Sequence, residues 1–161
     1  MNVFVTGGSG YVGRNLIRGL VSRGHQVRAL ARSDASVKTV EALGATAVRG
    51  DLLDEKALAA GLAGCQWLVH AAAGTGQTSG NAAQERINID GTRLLFRLAR
   101  DQGVKRGVHV STEAVLADGG PLVQVDETRH FPAKFAGGYS RSKALAEQAA
   151  LDGNGGGLDV M

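Results

Sequence analysis

Short apolar runs alternate with apolar residues at helical spacing along nearly the whole chain. Residues 2–6, with Val3-Phe4-Val5 at their centre and neither Pro nor Gly, read as a buried strand. Glycines 7, 10 and 13 follow, and Val12, Leu16 and Leu20 then fall on one helical face with Ile17 and Val21 beside it. The alternation repeats with a strand at 26–31, a helix at 35–43 and a strand at 45–48. A helix marked by Leu58 and Leu62 and a strand at 66–70 come next. A long helix presents Ile87, Leu94, Leu95 and Leu98 on one face, a fifth strand covers 107–110, and Tyr139 opens a helix that reaches Ala149. Residues 158–161 begin what reads as a sixth strand. Alternating strands and helices joined by right-handed crossovers predict an α/β fold, a doubly wound and mostly parallel sheet with helices on both faces. Two stretches interrupt the pattern. Residues 74–80 are polar and read as flexible. Residues 113–138 hold both prolines and the Gly119-Gly120 pair, too long for an idle connection, and read as a lid or substrate-facing loop.

The 161 residues suffice for one domain with a good core and are too few for two ordinary ones. The formal charge of +3 is mild, and Arg14, Arg18, Arg23, Arg28 and Arg32 are scattered without aromatics between them, which argues against nucleic-acid binding. A single cysteine, Cys65, allows no internal disulfide and reads as a packed core residue. No apolar run nears the ~20 residues of a spanning helix, and no leader pattern opens the chain. A cytoplasmic protein without membrane partners is the expectation.

Strand, glycine turn and helix together are the setting of a dinucleotide-binding turn. Gly7 would allow the tight turn, Gly10 would let backbone approach a pyrophosphate, and Gly13 would let the helix sit close to the strand. The helix N-terminus would meet the phosphates. The spacing is G-x-x-G-x-x-G, not the commoner G-x-G-x-x-G. At the end of the second strand, where an acidic residue would bind the ribose hydroxyls of NAD, stands Arg32, which suits the 2′-phosphate of NADP. Asp51, just past the third strand, is placed to accept from an adenine amino group or to cap the next helix, a role for which Asp54 competes. The small residues Ala71, Ala72 and Ala73 leave room for a ligand after the fourth strand. His70, inside that strand with no acidic neighbour in sequence, reads as structural.

Tyr139 and Lys143 are four apart at a helix start and share a face. An ammonium beside a phenol favours the phenolate, so Tyr139 can serve as an acid in carbonyl reduction or a base in alcohol oxidation. A hydroxyl at the end of the fifth strand, Thr112 or Ser111, would hold the substrate oxygen, and Lys143 would also reach the nicotinamide ribose.

Taken together these pieces resemble the extended short-chain dehydrogenases/reductases, the group that includes nucleotide-sugar epimerases and dehydratases, dihydroflavonol reductases and 3β-hydroxysteroid dehydrogenases. The matching stretches are TGGSGYVG at 6–13, VRALAR at 27–32, GDLLD at 50–54, VHAAA at 69–73, NIDGT at 88–92, VHVSTEAVL at 108–116 and YSRSK at 139–143. They cover essentially the whole chain in the family's order. The resemblance implies a Rossmann fold over 1–161, cut at the start of the sixth strand, with the substrate domain absent from this chain. It implies Thr112, Tyr139 and Lys143 as the catalytic trio and Asn88 in support. Aligning on Val115 puts Thr112 where the family most often has serine and Ser111 one place before it, and both stay candidates for the hydroxyl. It further implies that Gly7, Gly10, Tyr11, Val12, Arg32, Asp51, Leu52 and Ala71 to Ala73 line the cofactor.

The first reading is an NADP-dependent oxidoreductase, with NAD as the alternative cofactor, acting on a small ketone or secondary alcohol. The second is a nucleotide-sugar epimerase or dehydratase with tightly held NAD. The third, from a different class, is a sensor that binds NADP without turnover, against which the intact Tyr139/Lys143 pair argues. Family members often pair through two long helices, which here would be those holding Asn88 and Tyr139.

Overall fold

The computed structural model describes residues 1–74 and 81–161. From residue 75 on, the polar stretch expected at 74–80 lies outside the described residues. Among the described residues six strands, β1 (Asn2–Thr6), β2 (Gln26–Ala31), β3 (Thr46–Arg49), β4 (Trp67–His70), β5 (Arg106–His109) and β6 (Asp159–Val160), form one sheet in the order β3-β2-β1-β4-β5-β6. All five pairings are parallel. This is the doubly wound arrangement, with the reversal of strand order between β1 and β4.

The residues of β1 show why these strands are nearly all apolar. Val3 and Val5 face one core cluster with Ile17 of α1 (Tyr11–Ser22) and Val40 of α2 (Asp34–Glu41). Phe4 faces the other, with Leu58 and Leu62 of α3 (Glu55–Leu62), and with Leu95 and Phe96 further along the chain. A strand covered on both faces needs apolar residues at both parities. Cys65 is 4% exposed in the second cluster, as expected, and burial pushes its thiol pKa up.

The long helix is not continuous. It comprises α4 (Asn81–Glu85), a π-helical turn (Arg86–Asp90) and α5 (Gly91–Asp101). Such wide turns gather at functional sites, and this one carries Asn88. After β5 a short 3₁₀ turn (Glu113–Leu116) opens the loop, and α6 (Gly138–Leu151) packs beside α5 and over that turn. Strands β3 and β5 are each displaced by one residue from expectation. Ala45 N–H instead bonds to the Val40 carbonyl at the end of α2, so β3 cannot include it.

Candidate active site

The carboxyl ends of β1 and β4 meet at the switch point, where Thr6 and His70 are register partners. Gly7 turns the chain there with φ of 72°, and a Cβ on it would stand 2.5 Å from the Ala71 carbonyl oxygen. Only glycine fits both the conformation and the space. At Gly13 a Cβ would stand 2.1 Å from the Gly7 carbonyl oxygen, so α1 lies directly on the turn.

The start of α1 differs from those of α2 and α3. Ser33 caps α2 and Asp54 caps α3 through side-chain oxygens, whereas Gly10 offers α1 no side-chain acceptor. The first turn of α1 has no acidic residue, and Tyr11 and Val12 stand 79% and 51% exposed beside it. Uncapped N–H groups, a partial positive charge and adjacent apolar surface fit a dinucleotide pyrophosphate with its flanking ribose.

Arg32 is exposed at the end of β2 and has no ion pair or hydrogen bond to another described residue. Asp34, the carboxylate nearest it in sequence, is engaged by Arg49. Asp51 does not cap α3. Its carboxylate accepts from Leu53 N–H at 2.8 Å, while Asp54 accepts from Ala57 N–H at 3.0 Å and is the cap. Leu52 is 6% exposed and packs under Gly91. Ala71 and Ala72 are half-buried and Ala73 is exposed along the same edge.

Beneath the turns His70 is structural, as expected. Its Nδ1 lies 2.6 Å from Thr6 Oγ1 and its Nε2 2.8 Å from Thr92 Oγ1. Full burial, with His109 and Lys143 adding to it, holds its pKa well below the usual histidine range. A neutral ring therefore ties β1, β4 and α5 together. The His109 ring lies 5.1 Å from it, centroid to centroid. Burial first, and then the Lys143 ammonium, push the His109 pKa down to about 4.

Lys143 is 3% exposed on α6. Its Nζ donates to the Val110 carbonyl oxygen at 2.9 Å and lies 3.5 Å from His109 Nε2. Burial lowers its pKa, and Glu147 opposes that shift. Tyr139 is 38% exposed one turn earlier on the same helix. Asn88 is 3% exposed. Its Oδ1 accepts from Gly74 N–H at 2.7 Å, and its Nδ2 donates to the Gly74 carbonyl at 3.2 Å and to Ser142 Oγ at 3.1 Å. Asn88 thus joins the turn after β4 to α6.

The two candidate hydroxyls have different surroundings. Ser111 Oγ donates to Glu147 in a short hydrogen bond. Thr112 Oγ1 accepts from Ala114 N–H at 3.3 Å and donates to Glu113 at 3.1 Å, capping the 3₁₀ turn. The sequence reading missed Glu147, His109, Ser142 and Thr92. Glu147 had a signal, since it continues the four-residue spacing of Tyr139 and Lys143; Thr92, His109 and Ser142 lie inside the stretches NIDGT, VHVSTEAVL and YSRSK, but nothing in those stretches gives their partners.

The chain matches the pattern of the NAD dependent epimerase/dehydratase family over residues 3–160. It is 51% identical, over its whole length, to a 4-hydroxy-2-methyl-3-oxo-4-farnesyl-3,4-dihydroquinoline-1-oxide ketoreductase of Stigmatella aurantiaca, of which it covers 48%. Over 93% of the chain it is 38% identical to a decarboxylating sterol-4-alpha-carboxylate 3-dehydrogenase of Dictyostelium discoideum, of which it covers 47%. Among solved structures it resembles a short-chain dehydrogenase/reductase superfamily protein of Agrobacterium tumefaciens with bound NAD. That match has a TM-score of 0.83 and 26% identity, and spans 99% of this chain and 47% of that one. The chain spans about half the length of the curated relatives it matches. With strand order, glycine turn and matched pattern in agreement, this chain belongs to the NAD-dependent epimerase/dehydratase family.

Proposed function

We propose that this chain binds NADP and supplies the proton chemistry of an oxidoreductase acting on a ketone or secondary alcohol, with Tyr139 as the acid/base. The observation that carries this reading is the arrangement on α6: a half-exposed phenol one turn from a buried ammonium, which is tied to the end of β5 where Thr112 follows. When bound, the nicotinamide supplies or accepts the hydride. In the reductive direction Tyr139 gives its proton to the carbonyl oxygen, Lys143 stabilises the phenolate left behind, and Thr112 donates a hydrogen bond to the same oxygen. Oxidation runs these proton movements in reverse. Lys143 also holds the nicotinamide ribose, with Gly7, Gly10, Tyr11, Val12 and Ala71 to Ala73 along the dinucleotide. Arg32, without an ion pair among the described residues and beside an Asp34 already engaged by Arg49, favours a 2′-phosphate and hence NADP over NAD. The ketoreductase and 3-dehydrogenase relatives support the same class of reaction.

Titration with NADPH and NADH, followed by nucleotide fluorescence, tests the cofactor. NADPH consumption with ethyl acetoacetate, acetophenone and a 3-ketosteroid tests the reaction. Tighter NADPH binding with turnover of a ketone is expected; tighter NADH binding and no turnover would overturn the reading. The family's description favours a second reading, an epimerase or dehydratase with tightly held NAD. Release of NAD on denaturing the purified protein would support it. A homodimer formed through the Asn88 helix and α6 accompanies either reading, and sedimentation equilibrium measures it.

A further inference from the structure

Three side chains at intervals of four, Tyr139, Lys143 and Glu147, lie along one side of α6. Two of them hold consecutive residues at the end of β5. Lys143 Nζ donates to the carbonyl oxygen of Val110 at 2.9 Å, and the Glu147 carboxylate accepts from the hydroxyl of Ser111. The helix thus grips the strand end at two adjacent points, one by a backbone and one by a side-chain contact. Thr112 comes next. Its extended backbone, φ −156° and ψ 148°, leads into the 3₁₀ turn, and among the described residues its hydroxyl is engaged only by its neighbours Glu113 and Ala114. Both hydroxyls donate to a carboxylate, but Glu147 is half-buried on a packed helix whereas Glu113 is exposed and adjacent in sequence, so the Thr112 hydroxyl is the easier one to turn toward a substrate oxygen.

We propose that Glu147 is a positioning residue: by accepting the Ser111 hydroxyl one turn beyond Lys143, it fixes the end of β5 against α6 and leaves Thr112 as the hydroxyl that meets the substrate. This rests on the oxidoreductase reading above for the role of Thr112, but not for the grip itself. The role needs an acceptor at position 147 more than a negative charge, so a glutamine there, whose amide oxygen also accepts, retains it.

A mutant cycle on the protein separates these possibilities, with Ser111→Ala, Glu147→Ala, their double variant and Glu147→Gln compared by amide ¹H–¹⁵N spectra and by turnover. Glu147→Ala and Ser111→Ala should displace the Thr112 and Ala114 amide resonances alike, the double variant no further, and Glu147→Gln should stay near the parent. Turnover of the three ketones named above should fall roughly ten- to a hundredfold in both alanine variants through kcat, with KM for NADPH little changed. Independent, additive displacements, or a Glu147→Gln spectrum like that of Glu147→Ala, would overturn the grip. Loss of turnover in Ser111→Ala with Thr112 and Ala114 amides unmoved would make Ser111 the reacting hydroxyl and overturn the proposal. Absence of turnover in the parent protein would count against the oxidoreductase reading alone, because the amide cycle decides the grip without substrate.

Discussion

Gly13 lies against Gly7 so closely that a Cβ on Gly13 would stand 2.1 Å from the Gly7 carbonyl oxygen and 2.7 Å from the Gly8 Cα. The obstacle is backbone, so the helix must move to admit a methyl group. Gly13→Ala should therefore cost at least the ~1–3 kcal/mol of an overpacked core. At about 2–4 °C per kcal/mol for a domain of this size, the melting temperature drops by several degrees. NADPH binding should weaken with it, because the uncapped N–H groups of α1 shift relative to the turn. An unchanged melting temperature would mean that α1 does not press on the Gly7 turn.

Arg32→Ala tests the phosphate clamp. A charged hydrogen bond of roughly 1.5–3 kcal/mol corresponds to about a ten- to hundredfold loss of NADPH affinity. NADH affinity should not move, since NADH carries no 2′-phosphate for Arg32 to hold. Equal losses for both nucleotides would remove the NADP assignment.

Tyr139→Phe removes the ionisable hydroxyl and nothing that the core needs, because the ring is 38% exposed. Turnover should fall by roughly 10²–10⁴-fold, the usual contribution of a positioned acid or base, while the melting temperature and NADPH affinity hold. Thr112→Val should lower turnover in the same way. Full activity in Tyr139→Phe would require another proton donor.

Buried His70 and half-buried His109 make stability depend on pH. His109 titrates near 4 in the folded protein against 6.5 for an ordinary histidine. Between those values the unfolded chain binds more protons, so stability rises with pH across this window and is lost on acidification through it. The His109 contribution reaches about 3 kcal/mol once the pH is near 4, and His70 acts in the same direction. Urea unfolding should give a level stability between pH 7 and 8 and a steady decline from about pH 6.5 downward. His109→Gln should make that decline shallower, whereas equal slopes in parent and variant would mean that His109 is not held neutral.

Asn88→Ala removes two hydrogen bonds to the Gly74 backbone and one to the Ser142 hydroxyl. Loss of a buried multiple hydrogen bond costs roughly 1–3 kcal/mol. Calorimetry should show that loss, and turnover should fall as the turn after β4 loosens against α6. A stability within 0.5 kcal/mol of the parent, about the size of a surface substitution, would show that Asn88 does not hold these elements.

Strand and helix order was legible because burial on both sheet faces demands continuous apolar strands, and a helix packed on one side demands apolar residues at three- and four-residue spacing. Val3, Phe4 and Val5 show the first, and Ile87, Leu94, Leu95 and Leu98 the second. The glycine turn was equally legible, since Gly7 needs φ of 72° and Gly13 needs bare backbone beside it. The π-helical turn at Arg86–Asp90 left no pattern, because one extra residue in a turn barely alters apolar spacing. Asp51 and Asp54 were both fit to cap α3, and only the backbone path selected Asp54.

The sequence by itself determined the elements, their order and the residue types proposed to bind a dinucleotide and move a proton, because local conformation and burial parity are written in short-range spacing. The partners of those residues were decided only by the tertiary structure. Val110 and Lys143, Ser111 and Glu147, Asn88 and Gly74, and His70 with Thr6 and Thr92 are brought together by the packing of α5 and α6 on the sheet. A hydrogen bond has a reach of about 3 Å and depends on angle. No pattern along the chain specifies which of two adjacent hydroxyls, Ser111 or Thr112, a carboxylate on a distant helix will take.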